Sequence, residues 1–524
     1  MKISWPRVEP PRGLLTAAGF VWTALAAAAV VRFRGWTVDD FFITFRYAEN
    51  LARGHGFVWN PGERVFGVSD PGLGLALALL HFVTRLPIQW IASALFGAAL
   101  AGVSLLLLRE GAASGRRLET LLGGSLVLTS AFLWVNHGAA APMTLLVLLA
   151  AATLADSRPW VAGILAGSAV WIRPDAGVGV VILLLLLLLE TGRLPWRTGL
   201  AAAAVIALGL LGAWLWFGSI LPGTVEAKVT AARGDPYAAT GAEGFWGRGT
   251  ILLRRHVGPL WLLVAATGVA GLAPFLRHMR RLGRLTALYG VALAVLYPAL
   301  RVPFASWYTV VPWIAVLYGL PFCVAGLARE VAASPAAGRR WGRAVAGAGF
   351  AAAAVLGIFL VQGALRSSVR VYKGFAPPER LLVYQQAAEW LALRSRPGDS
   401  VAYVEIGVLG YYSRRPLEDQ MGLVTPRVVP YLARNDPAGG FLTKPTDYVI
   451  YHTRLGMAPI VRAPWFAGAY EEVARFAGGG PRNRQFLVIY RRRPGALLPA
   501  PPPLPEGDPP PEPPRRRRRH RRAG

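Results

Sequence analysis

Between Ala176 and Glu190 the chain runs without one polar side chain, and the stretch closes on seven consecutive leucines, Leu183–Leu189. A run of that kind has no water-soluble use and is at home in lipid. Similar runs recur through the first two thirds of the 524 residues. Charge is correspondingly thin, at 16% of residues with a mean hydropathy of +0.41, against roughly 25% charged in soluble domains. A large water-soluble enzyme is excluded. The expected class is a mainly α polytopic membrane protein.

Eleven spans are expected, at about 14–31, 88–108, 119–135, 143–156, 160–173, 176–190, 199–217, 257–276, 285–300, 307–327 and 344–364. Charge orients them. The arginine-rich connections contain Arg109, Arg116 and Arg117; Arg193 and Arg197; Arg277, Arg280, Arg281 and Arg284; and Arg329, Arg339, Arg340 and Arg343. With the N-terminus in the cytoplasm, all four fall on the cytoplasmic side, as the positive-inside rule requires. Gly72–Thr84 is apolar but too short to cross. Counting it would send Arg109–Arg117 outside, so it is expected as a re-entrant or interfacial helix. Leu14–Val31, preceded by Lys2, Arg7 and Arg12, is long for a signal-peptide core and is expected as an uncleaved first helix. The location that follows is a bacterial-type cytoplasmic membrane, crossed many times.

Three regions then face outward: residues 32–87, residues 218–256, and everything from about 366. The domains expected are a transmembrane domain over 1–365, an extracytoplasmic α/β domain over 366–495, and a disordered Pro/Arg-rich tail over 496–524. In the α/β domain Glu379–Arg394 reads as an amphipathic helix and Pro397-Gly398-Asp399 as a turn. Val401–Ile406, Tyr448–His452 and Phe486–Tyr490 read as buried strands, and Tyr470–Phe476 as a short helix. The tail is Pro-rich with too few apolar residues to build a core, and it ends in RRRRRHRRAG. Net charge is +28, which in a soluble protein would suggest nucleic acid. Here loop and tail arginines account for it, and no binding motif accompanies them. Cys323 is the single cysteine, which excludes an intramolecular disulfide, and no Cys/His cluster offers a zinc site.

The chemistry concentrates in Asp39–Pro71, DDFFITFRYAENLARGHGFVWNPGERVFGVSDP. Ionisable groups at a membrane boundary are costly and are functional candidates for that reason. The structural alternative is an acidic pair favoured by the dipole at a helix start.

The run from Asp39-Asp40 through F-I-x-x-R-Y-A-x-N-L-x-x-G-x-G-x-V-x-N-P-G-E resembles the GT-C superfamily of membrane glycosyltransferases. Within it, the likeness is to the branch of the terminal β-(1→2)-arabinofuranosyltransferase of bacterial cell walls. Four further segments resemble the same family in order: Trp171–Ala176 around Arg173-Pro174-Asp175; Phe217–Thr224 continuing to Ala227-Lys228; Ser306-Trp307-Tyr308 with Pro312; and Glu405–Tyr412, EIGVLGYY. The chain departs from the pattern at Ala140, where a glutamate is usual, at Gly223, where asparagine is usual, and at Asp70, where asparagine or serine is usual. A lost carboxylate points to a different acceptor or reduced activity.

The resemblance implies transfer of a sugar, arabinofuranosyl or another pentose or hexose, from a polyprenyl-phosphate donor. The acceptor would be an envelope glycan, glycolipid or protein on the outer face. Such a reaction needs a carboxylate at the acceptor hydroxyl or anomeric centre and a cation at the departing phosphate. Asp39 is the candidate for the first. Asp40, turned about 100° away on a helix, is expected to orient Arg46, a sugar hydroxyl or a metal. Lys228 is the candidate phosphate cation, or else a snorkelling lysine. Arg46 and His55 are secondary candidates, His55 being equally readable as a solvated loop residue. Arg173 and Asp175 either pair with each other or line the cavity. Trp307 and Tyr308 are a wall for the sugar or an interfacial aromatic pair. No cofactor is expected: two adjacent carboxylates can hold a divalent cation but are a weak metal signal alone. The rival readings are a non-catalytic relative and a transporter or lipid-handling protein.

Overall fold

The structure, a computed structural model, describes residues 12–33, 37–224, 226–227, 230, 241–257, 261–333, 379–453, 456–478 and 485–504. Over these the chain divides into two compact units. In lipid every backbone polar group must be satisfied within its own segment, and the apolar runs accordingly become helices. The first unit contains α1 (Arg12–Phe33), α2 (Phe41–Ala52), α3 (Pro71–Thr84), α4 (Ile88–Ala113), α5 (Arg117–Thr129), α6 (Ala131–Trp134), α7 (Ala141–Leu154) and α8 (Pro159–Ile172). It continues with α9 (Ala176–Thr191), α10 (Trp196–Phe217), α11 (Gly241–Val257), α12 (Trp261–Ala270), α13 (Leu272–His278), α14 (Arg281–Ala299) and α15 (Val310–Ala333). Six segments among the described residues are long and apolar enough to cross a membrane, and the chain is a multi-pass membrane protein. The leucine run forms α9, which stops at Gly192 in the left-handed conformation.

One segment expected as a single span is two helices. The 119–135 stretch breaks at Ser130, whose extended backbone separates α5 from α6 and whose Oγ accepts a hydrogen bond from Trp313 Nε1 at 3.2 Å. The 257–276 stretch forms one candidate span, Trp261–His278, in which α12 passes into α13 through a helical Gly271. A Cβ at Gly271 would collide with the carbonyl of Gly319 on α15, and one at Gly319 with that of Gly268. The two backbones therefore pack directly against each other. Gly163 and Gly167 do the same for α8 against the Thr198 and Ala202 carbonyls of α10. Small residues one turn apart are the usual device for helix packing in lipid, where no hydrophobic drive operates between apolar surfaces. The span expected at 344–364 lies outside the described residues.

The second unit comprises the described residues from 379 onward together with 65–67 and the described residues of 222–230. Its core is a five-stranded sheet of order β2-β1-β3-β5-β4. The helix α16 (Glu379–Arg394) leads into β1 (Val401–Tyr403), α17 (Gly407–Ser413), β2 (Leu417–Asp419), the short helices α18 (Val429–Ala433) and α19 (Pro437–Leu442), and β3 (Tyr448–His452). Strands β1, β2 and β3 are parallel; β4 (Tyr470–Gly478) and β5 (Gln485–Arg492) close the sheet as an antiparallel pair. The segment expected as a short helix at Tyr470–Phe476 is thus strand β4. Its Ala, Glu and Arg residues favour helix locally, but pairing along the length of β5 overrides that, and Glu471 bonds Arg491 across the ladder at 2.8 Å. Two loop segments of the first part of the sequence also belong here: Gly223 N donates to Phe66 O at 2.9 Å, and Ala227 is buried beside Gly422.

In the helical unit one end is tied by a polar network. Glu110, near the end of α4, accepts from the backbone N–H groups of Arg280, Leu282 and Gly283 at 3.0, 2.7 and 3.0 Å. It thereby caps the start of α14, whose first N–H groups have no partner in their own helix. Arg281 bridges Asp156 (3.0 Å) and Glu190 (2.6 Å), and Arg116 meets His278 at 3.0 Å. These contacts place one end of α4, α7, α9 and α14 together. The opposite end gathers the starts of α7, α9 and α15 and the ends of α8 and α14. Glu110→Ala is predicted to strip three donors of their acceptor and cost about 2 kcal/mol. A lowered thermal midpoint in detergent checks this, and an unchanged one refutes it.

Candidate functional site

Asp39 and Asp40 form the turn that starts α2. Their carbonyls accept from Phe42 N (3.0 Å) and Ile43 N (3.2 Å). Asp40 is the N-cap residue, yet its side chain makes no capping hydrogen bond. Asp39 is 6% exposed and Asp40 half-buried. Burying a carboxylate costs free energy, and Asp40 does not recover it by capping α2.

α2 continues away from this turn. Arg46, 4% exposed, donates from Nε to Trp59 O (2.9 Å) and from Nη2 to Asn60 Oδ1 (3.1 Å), and its guanidinium lies 4.3 Å from the Trp59 ring centre. Burial pushes its pKa down to about 9, opposed by Glu49, Tyr47 and Glu63, so it remains charged at neutral pH. Arg46 thus holds the 57–63 loop onto α2. His55 is exposed beyond the far end of the helix. Twelve residues at a rise of 1.5 Å separate that end from the acidic turn by about 18 Å.

A chain of ring contacts leads from the acidic turn across the same end of the bundle. Phe41 meets Trp307 edge-on at 5.4 Å, Trp307 meets Tyr308 at 5.7 Å, and Tyr308 meets Tyr297 at 4.5 Å. Arg173, between α8 and α9, lies 5.9 Å from the Tyr308 ring. It pairs with Asp175 at 2.5 Å and donates to Tyr297 Oη at 2.9 Å. Asp175 also accepts from Tyr297 and, at 3.1 Å, from Tyr289. Burial raises the Asp175 carboxyl, but Arg173 and the two phenols outweigh it and hold the group below its ordinary value. The pair is therefore ionised in place, as a buried pair with satisfied lone pairs can be.

Behind the acidic turn lie groups that sequence reasoning missed. Thr37 Oγ1 donates to the carbonyl of His137, and Ser306 Oγ to Asn136 Oδ1 at 2.5 Å. Asn136 and His137 are fully buried. Gly138 has φ +93°, a conformation side chains rarely adopt, and it faces Thr37, Phe41 and Phe45, which a Cβ there would touch at 3.4–3.5 Å. The 136–140 turn therefore packs directly on the start of α2. Ala140, standing where the family resemblance expects a carboxylate, is buried two residues further on. The signal for these positions was present in one place: Tyr289 and Tyr297, two turns apart on α14, share a face.

Beside the ring chain is an apolar cavity of about 610 Å³ lined by residues of α11, α12, α14 and α15, among them Trp246, Leu253, Val291, Pro298 and Pro312. Phe245, next to Trp246, stacks on Tyr297 at 6.2 Å and meets Phe304 at 5.1 Å. Trp246 of the cavity wall meets Phe245 at 5.5 Å, and the lining residues Pro298 and Thr309 are chain neighbours of Tyr297 and Tyr308. Ring contacts link Trp307 and Tyr308, through Tyr297, to the Arg173–Asp175 pair, and link Trp307 to Phe41, the residue after the acidic turn. Arg46 is directed to its own loop, and His55 stands apart. Lys228 lies outside the described residues. Among the described residues no three His, Cys, Asp or Glu side chains group as a metal site.

Comparison with known proteins bears on the fold. A family model described as a domain of unknown function matches residues 378–491. No curated protein matches the sequence. Among solved structures, ArnT from Cupriavidus metallidurans bound to undecaprenyl phosphate superimposes with a TM-score of 0.53 at 13% identity, over 91% of this chain and 98% of its own. An oligosaccharyltransferase of Archaeoglobus fulgidus tethered with an acceptor peptide gives 0.53 at 13% identity, over 89% of this chain and 74% of its own. The arabinofuranosyltransferase AftD from Mycobacteria gives 0.48 at 15% identity, over 93% of this chain but 40% of its own. The fold is that of GT-C glycosyltransferases, with a helical membrane domain and a C-terminal α/β domain. The arabinofuranosyl branch is not established at these values.

The Arg173–Asp175 pair can be tested apart from the fold. Asp175→Ala leaves a buried guanidinium with its main partner gone and is predicted to cost about 3–5 kcal/mol. An Arg173→Met/Asp175→Leu double variant removes both charges and is predicted to recover most of that in a detergent thermal melt. A double variant as unstable as Asp175→Ala contradicts the assignment of the loss to an unpaired charge.

Proposed function

We propose that this chain is an integral membrane glycosyltransferase that takes a sugar from a polyprenyl-phosphate carrier. It passes the sugar to a hydroxyl of an envelope glycan, glycolipid or protein on the extracytoplasmic side of a bacterial-type cytoplasmic membrane. One observation carries the reading: the Arg173–Asp175 pair is held by Tyr297, which a chain of ring contacts links to Phe41 beside the buried Asp39, and Pro298 and Thr309, next to Tyr297 and Tyr308, line an apolar cavity of about 610 Å³. That arrangement suits a substrate with a long apolar tail and a polar reacting head. ArnT, of the same fold, is described as binding undecaprenyl phosphate, which supports the choice of carrier. Orientation rests on the arginine-rich end facing the cytoplasm.

In the step proposed, the acceptor oxygen attacks the anomeric carbon, the bond from that carbon to the phosphate oxygen breaks, and polyprenyl phosphate departs. Asp39 takes the acceptor's proton. Asp40 orients a sugar hydroxyl. Lys228 is assigned to the phosphate as a compact charge, and the Arg173–Asp175 pair to fixing Tyr297 and Tyr308 beside the sugar. Trp307 forms the wall next to Phe41. A second reading, a non-catalytic relative, is favoured by one specific feature: the buried Ala140 in the place of a carboxylate.

A transfer assay with radiolabelled polyprenyl-phospho-sugars in proteoliposomes separates the readings. Wild type is predicted to release polyprenyl phosphate with one donor class, and Asp39→Asn to lose about 10²–10⁴-fold in rate. Lys228→Ala is predicted to weaken donor use about tenfold. Turnover that survives in Asp39→Asn removes that residue from the chemistry. No turnover with any donor favours the non-catalytic relative.

A further inference from the structure

One turn of the α/β domain is held more firmly than a surface connection needs to be. It follows β2, an edge strand of the sheet, and leads toward α18. Asp419, the last residue of β2, is fully buried. Its carboxyl group accepts from Met421 N at 2.8 Å, from Leu423 N, and from Val424 N at 3.3 Å. Its own N–H donates to Thr425 Oγ1 at 2.9 Å, and its carbonyl accepts from Gly422 N at 3.2 Å. A buried carboxyl group is costly unless donors meet it, and here the donors are the backbone of the turn itself. Residues 419–425 are therefore shaped around this one side chain.

What this turn meets comes from elsewhere in the sequence but from the same compact unit. Gly422, at its tip, has φ +85°, a left-handed conformation that glycine adopts readily. A Cβ there would stand 2.5 Å from Val429 Cγ2 of α18 and 3.6 Å from the Cβ of Ala227. Ala227 is itself fully buried. Its N–H donates to Gly223 O at 3.0 Å, and Gly223 N donates in turn to Phe66 O at 2.9 Å. The 223–227 segment is thus tied to Phe66 at its start and packed on the Asp419 turn at its end. The next residue in the chain is Lys228, assigned above to the departing phosphate. Consecutive Cα atoms are about 3.8 Å apart, so a fixed Ala227 limits where that lysine can stand.

We infer that Asp419 and Gly422 are positioning residues for the donor phosphate: they seat Ala227, and through it they set the place from which Lys228 acts. The inference rests on the proposed assignment of Lys228 to the phosphate. Asp419 shapes the turn, Gly422 leaves room for Ala227 against it, and both act through the lysine. A flexible cation is effective only when its supporting shell is locked by packing and hydrogen bonds, and the turn after β2 supplies that shell. A turn that only stabilised the α/β domain would affect donor binding independently of Lys228, and the two cases separate by experiment.

The test is a double-mutant cycle on the full chain in detergent, read as affinity for radiolabelled polyprenyl phosphate. Gly422→Ala adds a Cβ against Val429 at a φ that side chains rarely adopt, and Ala227→Leu overfills the same seat from the loop side. Either variant serves where the other disturbs folding. Each is expected to weaken binding about fivefold in the otherwise native chain, but less than about twofold where Lys228 is already alanine, since residues acting as a unit are not additive. Hydrogen exchange over residues 222–227 is expected to quicken in both. Equal losses in the two backgrounds overturn the positioning role alone, as do native affinity or unchanged exchange in both variants. A wild type that binds no polyprenyl phosphate, or a Lys228→Ala chain that binds it as wild type does, removes the donor assignment together with the role built on it.

Discussion

A carboxylate or guanidinium in a bundle of apolar helices is stable only at a helix end, and only when it is paired. This electrostatic constraint shapes the membrane unit. At the arginine-rich end Glu110 caps α14, while Arg281 joins Asp156 and Glu190. At the other end the Arg173–Asp175 pair is held by Tyr289 and Tyr297 between α8 and α9. The first network fixes which helix ends are neighbours. The second therefore forms on a preset frame, where Asp39 and Asp40 also stand.

Apolar packing then decides how closely the frame closes. Gly163 and Gly167 bring α8 onto α10, and Gly268, Gly271 and Gly319 bring α12 and α13 onto α15. The cavity lies among α11, α12, α14 and α15, where much of the lining is small, with Gly249, Gly290, Ala294, Ala299 and Ala315 beside Trp246 and Trp313. The ring chain runs from Phe41, next to the carboxylate turn, through Trp307 and Tyr308 to Tyr297, and Thr309 and Pro298, the chain neighbours of its last two rings, line this cavity. A reacting head and an apolar tail would thus be served by adjoining surfaces.

Much of the helical frame is legible from the apolar runs: α1, α4, α8, α9 and α10 fall close to their expected positions. The break at Ser130 is not, because it depends on Trp313, on a partner helix far away in sequence. In the α/β domain α16 and β3 match their patterns, while β4 follows its pairing with β5 instead of its local helix preference. At the site, the order of motifs marks Asp39, Arg173, Asp175 and Trp307. It does not show that Arg46 turns to Trp59 and Asn60, or that Asn136 and His137 pack behind the acidic turn. Those are tertiary facts about short polar residues with no period of their own.

The central claim is that the cavity and the polar cluster form one site for a lipid-linked donor. The most direct measurement is photocrosslinking of the purified full chain with a polyprenyl phosphate carrying a photoreactive group near the first isoprene, with adducts mapped by mass spectrometry. The account predicts saturable adducts on α11, α14 and α15 near Trp246, Val291 and Pro312, displaced by unlabelled polyprenyl phosphate. Adducts spread over the lipid-facing surface, or undiminished by competitor, would contradict it.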